Sequence, residues 1–308
     1  MAAHPHGGLY AATICPMRED GTLDLDSLDR HFAAVLATEG LDGLLLNGHA
    51  GEGIFLTRDE AATVVRHAKA VAPARRVLAA VSAESTAQAA ADARAARAAG
   101  ADAIMVFAPF SWALGADPRA IVTHHKGIAE AAEGPVYLFQ GSVGSGGLHY
   151  APDTLATLLD IEAVVGIKEG SWETRAYEDT LRQTRALRPD VAVMASGDEH
   201  LFACFQLGSD GSAVSLAAVV PELIVALGTH VRAGETDAAL AIHRKLFALA
   251  RLVYARPGHL AAARLKACLA RLGRIDSPAC RAPTPPIDPA ETDRLAAALA
   301  PCLENLDA

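Results

Sequence analysis

The sequence predicts an α/β fold, a (β/α)8 barrel with a C-terminal helical appendage, on three observations. Eight short apolar runs alternate with eight longer stretches of helical periodicity. No Gly-x-Gly-x-x-Gly follows the first run, which counts against the competing doubly wound open sheet. The sixth run, Val164-Val165-Gly166-Ile167, ends in Lys168 just before a glycine, where a barrel strand presents a side chain at its C-terminal mouth.

Taken in order, the first strand is expected over Leu9–Cys15, feeding a helix over Leu25–Glu39. Gly43–Asn47 is the second strand, and Thr57, three residues before Glu60, is a capping box for a helix over Thr57–Val71. Arg76–Val81 leads to an alanine-rich helix, Ser85–Ala99, opened by Ser85 and stopped by Gly100. Ala103–Phe107 with Asp117–Ala132, and Pro135–Phe139 with Pro152–Asp160, are the fourth and fifth units. Val164–Lys168 with Ser171–Leu187, Val191–Ala195 with Glu199–Leu207, and Gly211–Ser215 with Pro221–Arg232 complete the eight. Three more helical stretches follow, Thr236–Tyr254, Leu260–Leu272 and Pro289–Leu303, the last two joined by a Pro-rich segment, Ser277–Pro289. The expected division is a loose tail (1–8), the barrel (9–233) and the helical region (234–308).

At 308 residues, 51% hydrophobic, the chain has ample material for one large core. A formal charge of −9 without a Lys/Arg cluster argues against a nucleic-acid partner. Charges or prolines interrupt every apolar stretch before it reaches membrane-spanning length, and Met1 to Gly8 lacks the parts of a signal peptide. Five cysteines, Cys15, Cys204, Cys268, Cys280 and Cys302, are odd in number and widely spaced, which fits buried thiols in a cytoplasmic protein.

Strand alternation places Val164, Gly166 and Lys168 on one face and Val165 and Ile167 on the other. Lys168 then projects into the barrel, where desolvation lowers its pKa and frees the amine as a nucleophile toward carbonyl carbon. The competing bland account is a lysine that snorkels to water. After the second strand, Gly48-His49-Ala50-Gly51 allows a tight turn whose backbone N–H groups can meet a carboxylate. His49 in that turn is a candidate acid or base, or simply a histidine bonded to backbone. The glycine-rich stretch Gly141 to Gly147 lacks the Lys-Ser/Thr ending of a phosphate loop and reads as a pocket rim. Glu169, Asp198, Glu199 and His200 form a loose candidate metal set, although acidic residues at a helix start are ordinarily charge complements. His124 and His125 lie inside a helix and read as structural.

Nearly the whole chain resembles the Schiff-base-forming lyases typified by dihydrodipicolinate synthase and N-acetylneuraminate lyase. Thr13-Ile14-Cys15-Pro16-Met17 with Asp20-Gly21 looks like the family's opening T-P-F…D-G, and Gly48-His49-Ala50-Gly51-Glu52 falls on its G-T-T-G-E. Leu56-Thr57 with Glu60 matches L-T-x-x-E, His124 through Glu130 looks like H-F-K-x-I-A-E, and Ser196-Gly197-Asp198-Glu199 resembles S-G-D-D. Gly166-Ile167-Lys168-Glu169 matches G-I-K-E, whose lysine forms the imine with a 2-oxo acid. The resemblance implies a barrel with C-terminal helices, a homo-oligomer (tetramer or dimer), and no metal or organic cofactor.

The departures from the family pattern carry equal weight. The threonine pair is His49-Ala50, the catalytic tyrosine of Y-N-x-P falls on Phe139, and its asparagine on Gln140. The second aromatic of P-Y-Y is Ser111, and the arginine that meets a dicarboxylate looks like Gly144, with Ser145 on the adjacent threonine. Ala213 takes the usual aliphatic contact on the eighth strand. Phenylalanine has no proton to give, so the phenol relay is gone and the lysine-pathway reaction is not expected.

The expectation is therefore a lyase in which Lys168 attacks the ketone of a 2-oxo acid. Gly48, Ala50 and Gly51 would hold the carboxylate and His49 would move protons, with Ser145 or a water. Phe139 and Trp112 would wall the pocket, with Gln140 and Ala213 as further contacts. Two alternatives stand beside it: a metal-assisted lyase using Glu169, Asp198 and His200, and a barrel that binds a metabolite without turnover.

Overall fold

A computed structural model describes residues 4–304, apart from the side chains of 145–147. Eight strands, β1 (Gly8–Ala12), β2 (Gly43–Leu46), β3 (Arg76–Val81), β4 (Ala103–Val106), β5 (Val136–Gln140), β6 (Val164–Glu169), β7 (Ala192–Ala195) and β8 (Gly211–Val214), close into a barrel in sequence order. Every neighbouring pair is parallel, and β8 returns to β1 with Gly8 opposite Gly211. The helices between them are α1 (Leu25–Leu36), α2 (Arg58–Val71), α3 (Thr86–Ala98), α4 (Pro118–Ala132), α5 (Pro152–Leu159), α6 (Thr174–Leu187), α7 (Leu201–Gln206) and α8 (Pro221–Ala233). The expected capping box holds: the Thr57 hydroxyl accepts from the Glu60 N–H at 3.3 Å, and the Glu60 carboxylate accepts from the Thr57 N–H at 2.8 Å.

Alternation along the strands produces two cores. Inward residues, among them Tyr10, Leu45, Met105, Tyr137 and Met194, fill the barrel, while outward ones such as Leu44, Val77, Ile104, Ile167 and Val193 pack under the helices. One expected facing is reversed. Val136 pairs with Val164 but Tyr137 with Gly166, so Val165 is the extra residue of a β-bulge. Val164 therefore joins the outer layer and Val165 packs on the inner cluster, while Gly166 and Lys168 keep their inward facing. Gly166 is required there: a Cβ would stand 2.4 Å from the Tyr137 ring.

The described part of the expected loose tail is tied down, and β1 already begins at Gly8. The Gly8 N–H donates to the Asp210 carbonyl at 3.0 Å, the Tyr137 hydroxyl to the His6 carbonyl at 2.8 Å, and Arg76 to the Pro5 carbonyl at 2.9 Å. These bonds close the bottom of the barrel because Tyr10 and Tyr137 need partners for hydroxyls that point into it.

After α8 come α9 (Thr236–Val253), α10 (Ala261–Arg271) and α11 (Pro289–Leu303). They bury Leu246, Leu249, Leu265, Leu269, Leu295 and Leu299. α10 also carries two fully buried cations. Arg264 donates to the carbonyls of Val253, Ala255 and Pro257 and pairs with Glu291. Lys266 pairs with Glu52, in the loop after β2, and donates to the Ala279 carbonyl at 2.8 Å. Arg281, in the Pro-rich segment, holds both Glu60 oxygens and the carbonyls of Gly21 and Phe55. The C-terminal region is thereby fastened over the mouth of the barrel. All five cysteines are free, and Cys280 alone is not fully buried. Among the described residues no helix is long and apolar enough to cross a membrane.

Candidate active site

A cavity of about 570 Å³ opens at the C-terminal mouth of the barrel, between the strand ends and the segment of 258–284. Lys168 reaches it from β6 with only 7% of its surface exposed. Its Nζ lies 5.3 Å from the centroid of the Phe139 ring and 5.7 Å from that of Phe107. Lys168 makes no ion pair among the described residues. Burial pushes its pKa down to about 8, with the Asp198 charge pulling the other way.

His49 stands at the cavity mouth, in edge contact with Phe107 (centroids 4.8 Å apart) and Phe139 (5.7 Å), and 5.4 Å from Phe110. Phe107 and Phe139 stack at 4.3 Å and form the floor that His49 and Lys168 share. His49 is exposed to the cavity; desolvation against these rings, then the Lys168 charge, moves the imidazole below its ordinary value. The imidazole is accordingly neutral at pH 7 and its nitrogens face no protein partner among the described residues.

The turn carrying His49 is closed by bonds from the Glu52 N–H to the His49 carbonyl (3.2 Å) and from the Gly53 N–H to the Gly48 carbonyl (3.1 Å). Asn47 and Glu52 take left-handed φ values of 58° and 54° at its two ends. The N–H groups of His49, Ala50 and Gly51 find no acceptor among the described residues. Gly48 and Ala50 line the cavity; Gly51 stands behind them, where a Cβ would come within 3.0 Å of the Thr13 carbonyl oxygen.

Several expected contacts lie elsewhere. Gln140 is fully buried and off the cavity wall, donating to Glu169 at 3.1 Å and to the Thr180 hydroxyl at 2.7 Å. Strand geometry explains this, because Phe139 and Lys168 pair facing inward, so Gln140 and Glu169 pair facing α6. Trp112 packs 5.3 Å from His124 and off the cavity wall, which Phe110 and Trp172 form instead. Ala213 lies buried on the cavity wall. The Ser145 side chain lies outside the described residues.

The candidate metal set does not assemble. Glu169 faces α6 and accepts from the Ser171 hydroxyl at 3.0 Å, His200 stands just before α7 and off the cavity wall, and only Asp198 reaches the cavity. Among the described residues no group of three His, Cys, Asp or Glu side chains converges.

Two cavity residues carry no local signal in the sequence. Tyr254, at the end of α9, donates its hydroxyl to Asp198 Oδ2 at 2.7 Å, and Trp172 packs edge-on against it at 4.9 Å. Asp198 Oδ1 accepts from the Leu216 N–H at 2.8 Å. Burial raises both the Asp198 carboxyl and, strongly, the Tyr254 phenol. Tyr254 lies 86 residues beyond Lys168 by number, and only the docking of α9 on the barrel brings it to the cavity.

The fold and its lysine-bearing mouth define an aldolase-type (β/α)8 barrel. A sequence model of the Dihydrodipicolinate synthetase family matches residues 5–301, and the chain belongs to that family. Membership places it among the Schiff-base-forming, class I aldolase-type lyases, which act on pyruvate-type substrates. It is 32% identical over 297 residues to 4-hydroxy-tetrahydrodipicolinate synthase 1 of Streptomyces coelicolor, covering 96% of this chain and 93% of that one. It is 29% identical over 244 residues to a "Probable 2-dehydro-3-deoxy-D-pentonate aldolase" of Escherichia coli, covering 79% and 80%. The solved dihydrodipicolinate synthase of Thermotoga maritima superposes with a TM-score of 0.87 at 24% identity, covering 96% of this chain and 98% of that one.

Proposed function

We propose that this chain is a lyase that forms an imine between Lys168 and a 2-oxo acid, with a proton relay unlike that of the lysine-pathway synthase. The carrying observation is the amine itself: buried, without an ion-pair partner, and open to the cavity. The resulting iminium is an electron sink for C–C cleavage, condensation or loss of water. The free N–H groups of His49 and Ala50, which line the cavity, suit the substrate carboxylate. His49, neutral at pH 7, offers one ring nitrogen to accept a proton and one N–H to donate, as a proton shuttle needs.

The cavity wall supports a substrate with one anionic group and an apolar tail. Among the described residues Lys168 is its only ammonium and no guanidinium lines it, so a second carboxylate or a phosphate would lack a cation. Beyond the lysine, Ile54, Phe110, Trp172, Leu265 and Pro283 give the wall an apolar sector, beside a polar one that holds Ser196, Asp198, Ser215 and Tyr254. Phe139, which has no hydroxyl, favours a second reading, a barrel that binds a 2-oxo acid without turnover.

Pyruvate release from 4-hydroxy-2-oxo acids with aromatic, sugar-like or carboxylate tails separates these readings. The aromatic-tailed compound is expected to turn over fastest. Faster condensation of pyruvate with aspartate semialdehyde would refute the substrate assignment. Imine formation without product from any of them would establish the binding role.

A further inference from the structure

Imine formation needs more than a nucleophile. The ammonium must lose protons and the ketone oxygen must gain them before it leaves as water, and Phe139 at the end of β5 offers no hydroxyl for that transfer. Tyr254 enters the cavity from the C-terminal region, on the side of β7 and β8, and lines it together with Lys168 and Asp198. Its hydroxyl is held on Asp198 Oδ2 at 2.7 Å, and the other Asp198 oxygen is fixed by the Leu216 N–H at 2.8 Å. Asp198 is 2% exposed and lines the same cavity as Lys168, where its charge opposes the lowering of the amine's pKa.

Resting on the Schiff-base reading above, we propose that Asp198 and Tyr254 form the proton-transfer pair for imine formation, a phenol brought from α9 in place of one on β5. Asp198, which lines the same cavity but stands beyond ion-pair distance of Lys168, takes a proton from the ammonium through a bridging water, and the freed amine attacks the ketone carbon. The Tyr254 phenol gives its proton to the carbonyl oxygen as the C–O π bond breaks, and recovers one from Asp198 across their hydrogen bond. A second passage along the same path carries a second proton from nitrogen to oxygen, and the C–O bond breaks with loss of water. Of the three hydrogens on the ammonium, one stays on the iminium and two leave in the water, so no outside acid or base is consumed. His49, across the aromatic floor, is left for the later step at the substrate's own carbon.

The charged groups facing this pair are few. Lys168 faces Asp198 from the β7 end and His49 from the β2 turn, and Tyr254 faces Glu199 as well as Asp198. Glu199 is held by Arg251 at 3.0 Å.

The test uses the full chain with pyruvate as probe and cyanoborohydride as trap, following the rate of the Lys168 adduct by intact mass from pH 6 to 10. Tyr254→Phe keeps the ring packed on Trp172 and the Asp198 charge; it is expected to slow trapping at least tenfold at pH 7 with the midpoint of the pH profile unmoved. Asp198→Asn removes a negative charge facing the amine, and is expected both to slow trapping and to move that midpoint to lower pH, which a merely structural role would not do. Tyr254→Phe trapping as fast as wild type, or Asp198→Asn with an unmoved midpoint, overturns the proposal. Absence of any adduct in the wild type instead overturns the Schiff-base reading on which it rests.

Discussion

Raising the pH from 6 to 10 titrates the Lys168 amine, and the burial of that amine sets where the change falls. At pH 7 a lysine of ordinary pKa, 10.5, is free amine in only about 0.03% of molecules, whereas one at about 8 is free in roughly 10%. The site thus supplies on the order of 300 times more nucleophile at neutral pH than an exposed lysine would. With saturating pyruvate and cyanoborohydride, the trapping rate is expected to rise about tenfold per pH unit up to near 8 and then level. Below that pH the amine is protonated and silent; above it, further alkali adds nothing. Stopped aliquots read by intact mass give the rate at each pH. A rate that keeps climbing tenfold per pH unit to pH 10 would show an unperturbed lysine and refute the desolvation argument.

Three further outcomes follow from groups placed in the fold. For a lysine whose pKa falls from 10.5 to about 8 on folding, the unfolded chain holds a proton across that window that the folded chain does not; stability therefore rises with pH between the two values. Lys168→Met should then stabilise the protein by up to about 3 kcal/mol at pH 7, a gain that fades toward pH 10.5 in thermal melts; no gain at pH 7 contradicts it. Lys266→Met leaves Glu52 buried and unpaired and is expected to destabilise by roughly 3–5 kcal/mol in urea unfolding, with Glu52→Gln added on top restoring most of it. A loss below about 0.5 kcal/mol would show that the pair does not anchor α10. His31 is fully buried in α1 with both ring nitrogens unpartnered, and burial lowers it to about 3, so its folded form stays neutral while the unfolded form protonates below about 6.5. Stability is lost as pH falls through that window, and His31→Leu should stabilise the fold more at pH 5 than at pH 7.5, by about 2 kcal/mol in urea unfolding; an equal gain at both contradicts it.

Much of the frame was legible because period and punctuation agree. The short apolar runs, the Thr57–Glu60 box and the break at Gly100 each mark an element by local chemistry, and the structure ends those elements within a few residues of the expected bounds. Lys168 at the end of its strand, and the glycine turn around His49, were readable for the same reason. The facing of Val164 and Val165 was not, because a bulge depends on how β6 registers against β5. Gln140 shows a signal present but overridden. It is adjacent to Phe139 on one strand, and alternation alone forbids both from facing the cavity. Trp112, Tyr254 and the buried Lys266–Glu52 pair needed the tertiary structure, since their partners come from distant segments and no local pattern names them.

The most direct test of the central claim is peptide mapping of the borohydride-reduced pyruvate adduct. The expected result is a single modified peptide carrying the added mass on Lys168, abolished in Lys168→Arg. Modification spread over surface lysines such as Lys126 and Lys245, with Lys168 untouched, would contradict the account.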